Sequence, residues 1–189
     1  MTRGMMKSRV QAGIEFKVAT DAAERLAATQ LILRVFHGEL GLIGLQSDTF
    51  DDIATYCLAF YRGRLVAVVR LIPDSPAGLP LDSYIDLSRL RKVSSRLGEA
   101  SRLAIAPEYR NQGIIFGGFP FVRATASSLG VSTLIINSLL RTMSLYERLG
   151  FLPFSDAFHD PSAARPNDPP GKPNVVAMKL DVDDGTSHE

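Results

Sequence analysis

The chain has 189 residues, 46% of them hydrophobic and 22% charged, which supplies the core of one ordinary domain and excludes wholesale disorder. Lys and Arg total 21 against 20 Asp and Glu, so the net charge of +1 gives no support for a large nucleic-acid-binding surface. A single cysteine, Cys57, excludes an intrachain disulfide, and no apolar run approaches the ~20 residues that span a bilayer. The segment MTRGMMKSRVQAGIEF is charged but has no apolar stretch, so a signal peptide is not expected and a reducing cytoplasm is.

In chain order, residues 1–12 read as a loose tail and 13–183 as one domain without repeats or a linker; 184–189 read as a second tail. Ile14–Ala19 is a short strand. Thr20 or Asp21 then caps a helix running to about His37, with Ala22, Leu26, Leu33 and Phe36 on one face. Gly38–Asp52 is a loop. Thr55–Tyr61 and Leu65–Ile72 form a hairpin around Arg62-Gly63-Arg64. Pro73, Pro76 and Pro80 break regular structure before a basic stretch of Arg89, Arg91, Lys92 and Arg96.

Glu99–Ile105 is a strand, followed by the loop Arg110-Asn111-Gln112-Gly113 and a helix to Leu129. Val131–Ile136 is a buried strand, and Leu139–Leu149 a helix stopped by Gly150. Phe151–Phe154 starts another strand, 155–173 is a long Pro-rich surface loop, and Val175–Val182 closes the domain. A hairpin segregated from βα units predicts a mixed α+β sheet, not a doubly wound one.

Two features carry chemistry. A strand running into a Gly-containing loop at a helix start leaves backbone N–H groups unpaired, and these can hold a phosphate. Gly113 admits the anion and Arg110 adds a cation, although the same residues also make an ordinary turn. Next, Arg70 lies on the same strand face as Val66, Val68 and Ile72, so it needs an anion. Glu99 and Arg102 begin a second strand, and a network with Asp48 and Asp51 would serve either an acceptor site or the fold. Glu99 is also a candidate base for an ammonium acceptor. Finally, Cys57 reads as core, and His37, His159 and His188 lack metal-ligand spacing, so no metal is expected.

Arg110, Gly113 and Ile115, followed by Leu145-Tyr146-Glu147-Arg148-Leu149-Gly150-Phe151, resemble the GCN5-related N-acetyltransferase superfamily (GNAT). Ile115 departs from its usual Gly or Ala. Within it, four segments resemble the long-chain N-acyl amino acid synthases and, more distantly, the acyl-homoserine-lactone autoinducer synthases. These are Arg34-Val35-Phe36 with Glu39-Leu40-Gly41, Asp48-Thr49-Phe50-Asp51, Val69-Arg70-Leu71, and Glu99-Ala100-Ser101-Arg102. The lack of tryptophan and Ile32 in place of an arginine separate the chain from the autoinducer synthases.

The resemblance implies a single-domain GNAT-like N-acyltransferase of the α+β class, with a central mixed, mostly antiparallel sheet flanked by helices. It implies transfer of a fatty acyl group to an amino acid or similar small amine. The donor would be acyl-phosphopantetheine on acyl carrier protein or CoA, as a co-substrate and not a bound cofactor. Glu99, Arg102 and Tyr146 are then the catalytic candidates, with Tyr146 protonating the departing thiolate. Leu103, Ile105, Arg110, Asn111, Gln112, Gly113, Ile114 and Ile115 are donor-site candidates. Arg34, Asp48, Asp51 and Arg70 form an acceptor-site or structural network. The donor arm is expected between the strands holding Leu103–Ile105 and Thr133–Asn137, with Phe116, Phe119, Phe121 and Leu134 as an acyl pocket. An acidic carrier would dock on Arg89, Arg91, Lys92 and Arg96, with Arg110 and Arg123. Alternatives are lactone synthesis, short-chain acetyl transfer from acetyl-CoA, and a catalytically silent acyl- or carrier-binding module.

Overall fold

The computed structural model describes residues 13–42, 48–94, 96–165 and 167–182. Both expected tails, 1–12 and 184–189, lie outside the described residues. The elements are β1 (Ile14–Val18), α1 (Ala22–Leu33), β2 (Thr55–Tyr61), β3 (Arg64–Pro73), α2 (Ser88–Val93), β4 (Leu97–Ile105), α3 (Ile114–Ser128), β5 (Thr133–Leu139), α4 (Met143–Glu147), β6 (Leu152–Pro153) and β7 (Val175–Asp181). One sheet takes the order β1-β2-β3-β4-β5-β7-β6. Every strand pair is antiparallel except β4–β5. This is the mixed, mostly antiparallel sheet implied by the sequence motifs.

Local chemistry accounts for most element boundaries. The Asp21 carboxylate accepts from the Glu24 N–H (2.8 Å) and the Glu24 carboxylate accepts from the Thr20 N–H (2.9 Å), a reciprocal cap that starts α1. The β2–β3 hairpin turns on Arg62 and Gly63, both at positive φ. Gly113 (φ 78) precedes α3, and Gly150 (φ 93) follows α4.

Several expectations need correction. The buried face of α1 is Ala28, Leu31 and Ile32, extended by Val35; Leu26 and Leu33 are 59% and 38% exposed. The two apolar stripes are offset by about 135°, more than a third of a turn, and the sheet took the one spaced i, i+3, i+4, i+7. The helix also continues through π-helical turns at Arg34–Glu39, where the Leu40 N–H reaches back to the Val35 carbonyl (3.0 Å). Part of the expected loop Gly38–Asp52 is therefore helical. The basic stretch contains the short helix α2, while the expected strand at Phe151–Phe154 contracts to β6.

Loop 155–173 is not simply a surface loop. Phe158 bridges to Val175 and packs on the core, and Asp160 is only 4% exposed. Its backbone returns to β7 through the Phe158 N–H to Val175 carbonyl bond (3.0 Å).

The sheet separates two apolar layers. One holds the α1 residues Ala28, Leu31 and Ile32 with Leu58, Val68 and Ala104. The other holds Ala126 of α3 with Leu134, Ile136, Phe151 and Met178. These are called the α1 face and the α3 face.

The feature that makes a site is the relation of β4 to β5. They pair only over Leu97–Glu99 and Thr133–Ile135, then part. At the paired end, Gly98 lies so close to the chain after α3 that a Cβ there would meet Val131 Cγ2 at 2.6 Å and the Ile72 carbonyl at 3.3 Å. Gly98→Ala should therefore loosen the end that holds the two strands together. The expected loss is about 1–3 kcal/mol in urea unfolding, from overpacking in a site that cannot relax.

Candidate active site

Beyond its paired end, β4 changes register. Arg70 stands opposite Ser101, but Val68 stands opposite Ala104, so Arg102 and Leu103 together face one residue of β3. Arg102 takes φ 54 at this bulge, a costly conformation for a residue with a Cβ. The shift reverses which amides point toward β3. The Ala106 N–H bonds the Val66 carbonyl (2.8 Å), so Leu103 and Ile105 turn their amides to the opposite edge, where β5 has departed.

Charge holds the bulge. Arg70, 2% exposed, donates to Asp48 Oδ1 (2.8 Å), Asp51 Oδ1 (2.6 Å) and Ser101 Oγ (3.0 Å). Arg102 donates to Asp48 Oδ2 (2.7 Å) and to both Asp51 oxygens (2.9 and 3.1 Å). The Tyr56 hydroxyl adds a bond to Asp51 (2.8 Å). Burial pushes the Asp51 carboxyl up, but the bonds from Tyr56 and Arg70 and the charge of Arg102 hold it well below the usual carboxylate range. Two arginines and two aspartates thus form one closed lattice between β3, β4 and the segment after α1. Breaking such a buried pair costs about 3–5 kcal/mol.

A cavity of about 1130 Å³ runs through the parting and is lined from both faces. On the α1 face it meets Phe36, Leu40, Phe50, Tyr84 and Glu99; on the α3 face it meets Phe119, Phe121, Tyr146 and Phe151. This exceeds the 300–1,000 Å³ of ordinary small-molecule sites. Glu99 is 2% exposed and accepts from the Leu81 N–H (2.9 Å). Burial pushes its carboxyl up to about 7, against the lowering influence of the Leu81 bond and the Arg70 charge. Tyr146 meets Phe151 edge-on, with centroids 5.9 Å apart, and burial pushes its phenol up to about 12.

The phosphate-loop candidates Arg110, Asn111, Gln112, Gly113, Ile114 and Ile115 all line the cavity, as do Leu103 and Ile105. Asn111 and Gly113 are at positive φ, and no side chain caps the first turn of α3, which leaves its N–H groups available. Arg110 is not the free cation that the motif led us to expect. Its guanidinium is paired with both oxygens of Glu39, and its Nε donates to the Ile105 carbonyl (3.2 Å). The π-helical turn at the end of α1 is what brings Glu39 there.

Other assignments also change. Arg34 lies outside the lattice and pairs with Glu108 at the surface (2.8 Å). Phe116, Phe119 and Phe121 line the cavity, but Leu134 belongs to the core of the α3 face. The basic stretch lies at the far end of β4 from the Gly113 loop. It precedes β4, whereas the Gly113 loop follows it, and nine strand residues at about 3.3 Å each separate the two. Arg91 is committed to Asp74 and Asp82 (2.6 Å each), and Arg123 donates to the Val182 carbonyl (2.7 Å).

Sequence reasoning missed a polar group on the α1 face. Asn137 of β5 donates to Asp160 Oδ2 (2.8 Å), and Tyr84 lies near both Asp160 and Glu99. The available signal was the amide of Asn137 ending the apolar run 134–136; nothing local marks Asp160 as buried.

The model of the N-acyl amino acid synthase FeeM family matches residues 27–168. The chain belongs to that family. It is an acyltransferase with the GNAT-like fold. The structure of FeeM from uncultured soil microbes superposes with a TM-score of 0.72 at 20% identity, covering 89% of this chain and 91% of that one. A CoA-dependent acyl-homoserine lactone synthase, BjaI, solved with SAM and isopentyl-CoA, gives 0.67 at 16% identity, covering 90% and 84%. An acyl-CoA N-acyltransferase from Pseudomonas aeruginosa gives 0.65 at 16% identity, covering 88% and 98%. Comparison with curated protein sequences finds no match. Among the described residues there is no group of side chains fit to hold a metal ion, and no helix long and apolar enough to cross a membrane.

The Glu99 carboxyl makes a prediction for stability. Its folded pKa of about 7 lies above its ordinary value of 4.5, so the folded state holds a proton that the unfolded state releases between those pH values. Stability from this group is full below about 4.5 and is lost as pH rises to 7, by on the order of 3 kcal/mol. Glu99→Gln cannot ionise. Its stability relative to wild type should therefore climb across this window and level off above pH 7, as urea unfolding at several pH values will show.

Proposed function

We propose that this acyltransferase moves a fatty acyl group from a phosphopantetheine thioester, on acyl carrier protein or CoA, to the amino group of an amino acid or similar small amine. The observation that carries the reading is the parting of β4 and β5. It offers the amides of Leu103 and Ile105 on one wall and the Glu99 carboxylate on the α1 face, within one cavity.

The acceptor amine enters from the α1 face. Glu99, ionised above pH 7, removes a proton from the ammonium, directly or through a water. The amine nitrogen attacks the thioester carbonyl carbon. The oxyanion that develops takes hydrogen bonds from the Leu103 and Ile105 amides, which the bulge has already aimed there. The C–S bond breaks as the attacking nitrogen loses its second proton to water, which leaves the neutral amide, and the thiolate takes a proton from Tyr146 on the α3 face. The phenol at about 12 stays protonated until that moment and is then regenerated from solvent. Direct transfer needs no covalent enzyme intermediate; the Cys57 thiol, which burial pushes up to about 11, is no ready nucleophile.

Arg102 acts as a positioning residue: it holds the bulge and does not touch the reacting atoms. The donor's phosphate sits on the open first turn of α3, and the apolar lining at Phe16, Gly118, Phe119, Phe121 and Val122 receives the acyl chain. The cytoplasm is the setting that fits a chain with one buried thiol and a thioester donor.

Two measurements test this. Mass spectrometry of lipids from cells expressing the chain should reveal an N-acyl product absent from controls and absent with Glu99→Gln. In vitro, kcat/KM should rise with pH through a midpoint near 7, and Glu99→Gln should remove that limb and lower turnover by roughly 10²-fold. Wild-type turnover in folded Glu99→Gln would end the base assignment, and a clear preference for acetyl-CoA over acyl carrier protein and long acyl-CoA would end the fatty-acyl one. Tyr146→Phe keeps the ring packing against Phe151 and should lower kcat about tenfold to a hundredfold, with a smaller change in KM.

A further inference from the structure

The wall of the cavity on the α1 face is formed partly by loop 155–173. Asp160 fastens it there. Its carboxylate accepts from Asn137 Nδ2 (2.8 Å), the Ser162 N–H (2.8 Å) and the Ser162 hydroxyl (2.7 Å). The Asn174 side chain brackets the same residue, with Oδ1 accepting from the Asp160 N–H (2.8 Å) and Nδ2 donating to the Asp160 carbonyl (2.9 Å).

This arrangement fixes the Asn137 amide. With Nδ2 turned to the Asp160 carboxylate, Oδ1 must point the other way, since the flipped amide would set oxygen against oxygen. Asn137 Oδ1 is buried and has no hydrogen-bond partner among the described residues. Asn137 itself lines the cavity. Glu99 is opposite Ile135 in the β4–β5 register, so Asn137 lies one strand repeat further, where the strands have parted. This end of the cavity thus gathers acceptors, namely Glu99, the Asp160 carboxylate and an unused amide oxygen, beside the hydroxyl of Tyr84. It is built for an N–H-bearing, positively charged or incipiently neutral amine.

Four residues after Asn137 is Arg141, in the turn Leu140–Thr142 that ends β5. It lines the same cavity. The other arginines lining it are engaged: Arg70 and Arg102 by the aspartates, Arg110 by Glu39, and Arg148 over the Phe116 ring at 4.5 Å. Arg141 has no ion pair or hydrogen bond among the described residues. Burial and then the neighbouring Arg165 lower its pKa, with Asp168 opposing. It is a cation with no anion in contact among the described residues, beside a site rich in anions and acceptors. Two strand residues, about 7 Å, carry the chain from Asn137 to the start of the turn, a span within the reach of an arginine side chain. A guanidinium fork also matches a carboxylate in shape.

We propose that Arg141 is the specificity-determining residue for the acceptor: it binds a carboxylate adjacent to the amine, while the amine occupies the Glu99–Asn137 end. This rests on the acyl-transfer reading above. Loop 155–173, held through Asp160 and Asn137, is then part of the acceptor pocket. The phosphate of the donor arm is the competing anion, and the test separates the two sources.

The full chain is assayed with decanoyl-CoA by thiol release. Matched acceptors differ only in the carboxylate: L-leucine against isopentylamine, and L-phenylalanine against phenethylamine. Wild type should favour the amino acid of each pair, and Arg141→Gln should reduce the ratio of the two kcat/KM values roughly 10- to 100-fold, mainly through acceptor KM. Arg141→Lys should restore part of the ratio. An unchanged ratio, or a loss expressed in donor KM, overturns the assignment. Calorimetry of L-leucine and L-phenylalanine against the same amines keeps the two readings distinct. If wild type transfers to no acceptor, the acyl-transfer reading fails; amino-acid binding that Arg141→Gln abolishes still upholds the carboxylate site, and binding it leaves intact, or no binding, removes it.

Discussion

Two parallel strands forced to separate midway are the constraint on which this molecule depends. At one end Gly98 permits the chain after α3 to approach β4 closely, and the strands pair. At the other, the extra residue in β4 moves its amides out of the β3 ladder and into the gap. An arginine at positive φ is the cost of that bulge, about 1–3 kcal/mol of backbone strain. What offsets it is electrostatic. Asp48 and Asp51 are each shared between Arg70 and Arg102, so the strained residue is held from its side chain as well as its backbone. The lattice therefore has a structural consequence, and through it a chemical one: it keeps unpaired amides facing a cavity that crosses the sheet.

The crossing also separates chemical tasks by face. On the α1 face, Glu99 is buried near Arg70 but takes one hydrogen bond among the described residues, from a backbone N–H, so burial outweighs attraction and its proton leaves near neutral pH. Asp51 is only a short distance along the same network, yet full pairing keeps it ionised. Two carboxylates in one neighbourhood thus differ because one has cations in contact and the other does not. On the α3 face, Tyr146 is surrounded by apolar groups and remains a proton donor. A carboxyl that titrates near neutral pH on one side and a protonated phenol on the other are the two groups that the proposed transfer calls on, one for the amine and one for the departing thiol.

Much was legible in the chain itself. The order of elements, the hairpin at Arg62-Gly63 and the glycines that start and stop α3 and α4 follow from turn chemistry and local periodicity, which need no distant partner. The conflict between Arg70 and its apolar strand was also visible, because a buried cation requires an anion whatever the fold. The motif residues Leu145, Tyr146, Leu149, Gly150 and Phe151 pointed to the family. What local pattern could not decide was the choice between equivalent options. Two apolar stripes run along α1, and only the curvature and side chains of the sheet selected Ala28, Leu31 and Ile32 over Leu26 and Leu33. Arg34 and Arg110 looked like site cations, but Glu108 and Glu39 claim them across 74 and 71 residues.

The sequence by itself determined which backbone conformations were affordable and which side chains needed burial or a counter-charge. The tertiary structure alone decided the pairings: that Asp48 and Asp51 serve two arginines, that Asp160 is drawn out of a Pro-rich loop onto Asn137, and that β4 and β5 part after three residues. The physical reason is range. Capping, turn geometry and periodicity act over four or five residues, whereas the pKa of Glu99 and the partner of each charge depend on groups brought together only when the sheet closes.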